Sequence, residues 1–152
     1  LLSELADIPE IIVLEAQNHE RIGFVSLYSR SMHHNLIARL LNDRFGIQTR
    51  GGCLCAGTYG HILLNISDRQ SKEITKDIDQ GDLRNKPGWV RISLHPTMTE
   101  AEVRYIAAAV REIIKNHARW GAIYHQNPET GDFELPGQSK ASIDLKSTFK
   151  TT

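Results

Sequence analysis

The sequence predicts an α+β fold: a small, mostly antiparallel sheet with helices packed on one face. Three observations predict it. Candidate elements run strand, strand, helix, strand, helix, strand, helix, an order that builds layers of sheet and helix. The hydrophobic period switches between two and 3.6 residues as those elements alternate. A chain of 152 residues at 40% hydrophobic content is long enough for one core and short for two.

The elements follow in order. "LLSELADIPE" reads as the end of an amphipathic helix, and it opens the chain like a piece cut from something longer. "IIVLEA" (11–16) and "IGFVSLYS" (22–29) are rich in branched and aromatic residues, and the polar "QNHER" between them reads as a turn, so an antiparallel pair is expected. In "SMHHNLIARLLNDRFG" the period changes. Leu36, Ile37, Leu40 and Leu41 form one helical face, Ser31 is placed to cap the start, and Gly46 stands where a left-handed C-cap is wanted. His33 and His34, opening this helix, read as a cap and a solvated face. "IQTR" reads as a short strand and "HILLNI" as a buried helical turn. "SDRQSKEITKDIDQG" reads as a polar helix whose apolar contacts come from Ile74 and Ile78. After Lys86, Pro87 and Gly88, the strand "WVRISLHP" alternates Val90, Ile92 and Leu94 against Arg91, Ser93 and His95, one buried face and one polar face. Thr99 and Glu102 make a capping box for the clearest helix, in which Val103, Ile106, Ala107, Val110, Ile113 and Ile114 keep helical spacing. Beyond Trp120 turn formers dominate. The domain is therefore expected over 1–125, with 126–152 an irregular or flexible tail.

Composition excludes some classes of function. The formal net charge is zero, which gives no electrostatic footprint for nucleic acid or an anionic membrane. No apolar run approaches a membrane span. Both cysteines stand in "RGGCLCAGTYGH", separated only by Leu54. That spacing is poor for a structural disulfide and favours a reducing, cytoplasmic compartment.

The same stretch is the best candidate for chemistry. Its glycines permit a tight loop and close backbone approach to a ligand. Cys55 is a candidate nucleophile, because a thiolate needs nearby cations or a helix N-terminus, and Arg50, His61 and the helix begun by "AGTYGHILL" are placed to supply them. The bland alternative is that both cysteines are core or loop fillers. A metal site built from Cys53, Cys55, His61, His33 and His34 lacks the paired spacings of structural zinc. Arg91, on the polar face of its strand, is either solvated or, where that face lines a cleft, a fork suited to a carboxylate.

"GIQTRGGCLCAG", followed by "KPGWVRISLHPTMTEAEV", resembles the C-terminal small domain of class V aminotransferase-fold enzymes, in particular the cysteine desulfurase and selenocysteine lyase group. The similarity covers about Ile11 to Arg119. It implies a fold-type I, pyridoxal-phosphate-dependent enzyme. In desulfurases of this kind a loop of the form Arg, small residue, Gly, two variable residues, Cys, Ala carries the sulfur-accepting cysteine. Arg50, Gly51, Gly52, Cys53, Leu54, Cys55 and Ala56 match it, so the resemblance places the nucleophile at Cys55 and a substrate-binding role at Arg50. Cys53 falls on a variable position and, with His61, is an auxiliary candidate. The family's carboxylate-binding arginine, in the form Arg, x, Ser, falls on Arg91. Cys55 would take the substrate's sulfur as a persulfide and leave alanine; a selenocysteine substrate would not need the thiol.

The family's cofactor lysine belongs to a large domain, in a Ser, x, His, Lys context that no lysine here shares. The resemblance therefore implies that the cofactor-binding domain is absent from this chain, which alone would be inactive. It further implies a small amino-acid substrate, a homodimer and a sulfur-acceptor protein. The second thiol and the polar insert "SDRQSKEITKDIDQGDLRNKPG" depart from the pattern and keep transaminase, epimerase and lyase chemistry open. A non-catalytic redox- or metal-sensing domain is the rival from another class.

Overall fold

In a computed structural model, which describes residues 1–52 and 57–137, the elements are α1 (Leu2–Ala6), β1 (Ile11–Val13), β2 (Phe24–Ser29), α2 (His34–Phe45), β3 (Arg50–Gly52), α3 (Gly57–Leu63), α4 (Asp68–Asp79), β4 (Trp89–Ser93), α5 (Glu100–Gly121), β5 (His125–Gln126) and β6 (Phe133–Glu134). The first four strands form one antiparallel sheet in the order β1-β2-β4-β3. The fold is the expected α+β arrangement. Among the described residues no helix is long and apolar enough to cross a membrane.

Alternation along β2 and β4 divides the sheet into two unlike faces. Val25 and Leu27 pair with Ile92 and Val90, and all four are buried against helices. Leu36, Ile37, Leu40 and Leu41 of α2 and Ile106, Val110, Ile113 and Ile114 of α5 complete this core, which α1 closes with Leu5. Each such side chain, when fully buried, contributes about 1.5–3 kcal/mol of transfer free energy. The other face carries Phe24, Ser26, Trp89, Arg91 and Arg50.

The caps and turns follow the local chemistry. Thr99 accepts from the Glu102 amide while the Glu102 carboxylate accepts from the Thr99 amide. Ser67 and Gln70 make the same reciprocal box at α4, from the sequence "SDRQ". Gly46 ends α2 with φ +66°. The cap of α2 is not Ser31, which bonds Ser29; it is His33, whose Nδ1 accepts from the Asn35 amide at 3.1 Å. His34 is likewise no solvated residue, being 6% exposed.

Three further differences concern element positions. The third strand is β3, three residues later than "IQTR" begins, because pairing with β4 sets Arg50 opposite Arg91. The helix after the thiols already begins at Gly57. Within the stretch read as irregular, β5 and β6 form a hairpin over a turn at 127–131, and Phe133 packs against the core. Its turn is tied down by hydrogen bonds from Asn35 Nδ2 to the Gly131 carbonyl and from the Leu83 amide to the Pro128 carbonyl. Two-residue strands leave no period to read. Residues 138–152 lie outside the described residues.

Candidate functional site

The site is built on the sheet face turned away from the core. Antiparallel register aligns Ser26 of β2, Arg91 of β4 and Arg50 of β3 in one row, side chains on the same side. Ser26 is buried at 8% exposure, Arg91 is half-buried and Arg50 is exposed at the sheet edge. Two guanidinium groups directly opposite each other repel. Among the described residues neither is paired with a carboxylate. The Nε of Arg91 is buried and, among the described residues, has no hydrogen-bond partner. A buried donor left unmade costs about 1–3 kcal/mol, more for a charged group, so an acceptor placed at this Nε would be favoured.

Arg91 opens into a cleft of about 420 Å³ lined also by Leu14, Phe24, Tyr59, Leu63 and Trp89. The Phe24 ring lies 5.9 Å from the Arg91 Cζ and limits where the guanidinium can swing. α3 brings Tyr59 and Leu63 to this wall, and Trp89, two residues before Arg91 and so on the same face, is buried there. The rim is set by a third arginine. Arg21 donates from Nη2 to the carbonyls of Leu14 (2.9 Å) and Glu15, and from Nε to that of Asn18 (2.7 Å), which folds the β1–β2 connection into the edge of the cleft.

β3 approaches closely because it is built of glycine. A Cβ on Gly51 would lie 2.7 Å from Asn35 Oδ1 of α2, and Gly52 has φ +114°, a conformation that side-chain-bearing residues avoid. The three residues "RGG", read as part of the loop, are instead strand β3, and the positive φ of Gly52 stands at its end.

Of the residues singled out by sequence, the structure brings Arg50 and Arg91 together. His61 is not among the residues lining the cleft; its Nδ1 is 3.2 Å from Ser71 Oγ, tying α3 to α4. Cys53 and Cys55 lie outside the described residues. Among those described, no three His, Cys, Asp or Glu are grouped to hold a metal ion. Sequence reasoning missed Phe24, Tyr59, Trp89 and Arg21. Phe24 and Trp89 were legible in principle, each being two residues from a polar-face position on an alternating strand. Nothing local marks Arg21, whose role depends on carbonyls six and seven residues upstream.

Pyridoxal phosphate, which the resemblance implies, needs a lysine amine for its aldehyde. Among the described residues, Lys72 and Lys76 lie on α4, Lys86 precedes β4, Lys115 lies on α5, and none lines the cleft; Lys140, Lys146 and Lys150 lie outside the described residues. Arg91 is the cleft's group suited to a carboxylate, beside Glu15 and Glu20 on the same lining and with Arg50 outside it, and among the described residues the cleft offers the cofactor no amine.

Comparison with known proteins bears on the family. None of the curated proteins compared with the chain matches it. The family model described as Aminotransferase class-V matches residues 1–106, well over half of the chain and the whole span from α1 through β4. The chain thus belongs to the class V aminotransferases, a family that generally depends on pyridoxal phosphate.

Proposed function

We propose that this chain forms the substrate-facing small domain of a pyridoxal-phosphate-dependent enzyme acting on an amino acid, with cysteine desulfurase or selenocysteine lyase activity. The observation that carries the reading is the Arg91–Arg50 pair: two cations on one face, opposite in register, with a buried donor unmatched. A substrate α-carboxylate would accept from the planar fork of Arg91 and be attracted by Arg50. Charge-assisted hydrogen bonds are each worth about 1.5–3 kcal/mol, enough to fix the substrate's orientation. The rest of the enzyme would hold the cofactor, since among the described residues this cleft offers it no amine. Cys55, three residues after β3 ends, would then be the sulfur acceptor, and the row of arginines would set where the substrate's side chain points.

The mainly apolar lining supports a second reading. Leu14, Phe24, Leu63 and Trp89 also suit an amino acid bulkier than cysteine, processed without a thiol nucleophile. One experiment separates the two. Cofactor-loaded enzyme containing this chain is given cysteine, selenocysteine and larger amino acids, and sulfide, selenide, alanine and keto acid are measured for wild type and Cys55→Ala. Sulfur release from cysteine that depends on Cys55 supports the desulfurase reading. Turnover of larger amino acids, unchanged in Cys55→Ala, replaces it with the second.

A further inference from the structure

A pair of histidines lies behind the arginine row, on the other side of the sheet. His33 caps α2, its backbone extended at φ −63° and ψ 137°, and its Nδ1 accepts from the Asn35 amide. That bond requires an unprotonated Nδ1: a proton there turns the acceptor into a donor facing an N–H. The His34 ring stacks on His33 with centroids 4.1 Å apart, and Phe133 of β6 covers His33 at 5.6 Å. The His34 ring is seated on the ends of two strands. A Cβ on Gly88 would lie 2.7 Å from His34 Cε1 and Nε2 and 2.8 Å from the Gly52 carbonyl carbon, and one on Gly51 would meet His34 Cδ2 at 3.5 Å.

We propose that His33 and His34 form an acid-sensitive latch, which when neutral holds the N-terminus of α2 against the adjoining ends of β3 and β4 and which opens on protonation.

The surroundings favour the neutral state. His34 faces His33 on its own helix and Lys86 from the segment before β4, both unfavourable to a positive imidazole. His33 faces Asp132 in the β5–β6 turn and the backbone of Lys86 and Arg84, which favour its cation; none of these reaches hydrogen-bond geometry with its buried Nε2. Burial outweighs them, holding His33 below the ordinary histidine value and taking His34 down to about 3. Both imidazoles regain the ordinary value of about 6.5 when the helix end opens. The open state therefore binds more protons, and opening becomes more favourable as pH falls below about 6.5. Arg50 and Arg91 ride on the two strands concerned. The consequence that acid loosens carboxylate binding rests on the function proposed above; the latch itself does not.

The test is hydrogen exchange of the 152-residue chain between pH 7 and 5, corrected for intrinsic exchange and read at the amides of Asn35, bonded to His33 Nδ1, and Ile37, bonded to the His33 carbonyl. Each imidazole released is expected to raise opening by up to about 25-fold over that range. His33→Asn keeps a good cap and removes one titrating group, so it should lose less protection than wild type by up to that factor. In wild type the His33 ring and Asn35 amide resonances should also shift with one shared midpoint below 6.5. Protection in wild type that is flat with pH, acid loss as steep in His33→Asn as in wild type, or separate midpoints for ring and amide would each overturn the proposal.

Discussion

Replacing Arg91 should separate binding from stability, and in opposite directions. Arg91→Lys keeps the charge and loses the fork; Arg91→Met keeps the aliphatic stem and loses both. Loss of one charge-assisted bond to a substrate carboxylate, about 1.5–3 kcal/mol, lowers kcat/KM by roughly 10- to 150-fold in Arg91→Lys, and by more in Arg91→Met. Stability moves the other way. In the ligand-free protein Arg91 stands opposite Arg50, a like-charge cross-strand pair that costs about 0.2–1 kcal/mol, and its buried Nε has no acceptor. Removing the charge relieves both, and in a chain of this size each kcal/mol is worth about 2–4 °C in Tm. Arg91→Met should thus melt one to several degrees above wild type, with the difference narrowing in high salt as the repulsion is screened. The assay pairs thermal melts of the chain at low and high salt with steady-state kinetics on the cofactor-loaded enzyme. Unchanged kinetics in both variants, or a Tm several degrees below wild type in Arg91→Met, would show a structural arginine and refute the reasoning.

The remaining predictions address the loop, the cofactor and the glycine contacts. Cys55→Ala should abolish sulfur transfer from cysteine and Cys53→Ala should leave much of it, with thiol alkylation favouring Cys55; equal activity of wild type and Cys55→Ala would remove the nucleophile from the loop. The 152-residue chain alone should bind pyridoxal phosphate only weakly, because among the described residues no lysine lines its cleft, and a dialysis-resistant, stoichiometric absorbance band would contradict this. Gly88→Ala forces a Cβ to 2.7 Å from the His34 ring and 2.8 Å from the Gly52 carbonyl carbon, overpacking that costs about 1–3 kcal/mol and lowers Tm by about 2–12 °C. An unchanged melt would mean that the ring does not rest on Gly88.

What the sequence disclosed and what it withheld divide by distance along the chain. The helix from Thr99 was legible because its cap, its period and its apolar stripe all lie within 16 residues, and α5 starts where the capping box places it. The alternation of β4 was legible for the same reason, down to which of Val90, Arg91 and Ile92 face inward. Of the two caps offered for α2, Ser31 and His33, the structure takes His33, although Ser is a better cap than His in general. Here the burial of His34 against Gly88 and Gly51 decides where the helix starts, and those residues are 54 and 17 positions away from it in sequence. The hairpin at 125–134 escaped for want of a pattern, because its strands hold two residues each and its hydrogen bonds run to Asn35 and Leu83. Of the candidate site, the residue types were legible and their juxtaposition was not.

That juxtaposition is enforced by the core on the opposite face. Arg50 and Arg91 are 41 positions apart, and the sequence of neither strand states that they meet. Yet a slip of one residue between β2 and β4 would turn Val90 and Ile92 outward and bury Arg91 among Leu40, Ile37 and Val110, at a cost far above that of the paired cations. Val25–Ile92 and Leu27–Val90 therefore lock the register, and Ser26–Arg91 follows from it without any attraction between those two side chains. β3 is locked in turn by Gly51, which fits under α2 only when its neighbour Arg50 stands outward and opposite Arg91. The repulsive pair is held together by apolar packing that neither arginine touches. A carboxylate bound there, as proposed above, would meet a preorganised receptor, because the cost of assembling the cations has already been met by folding.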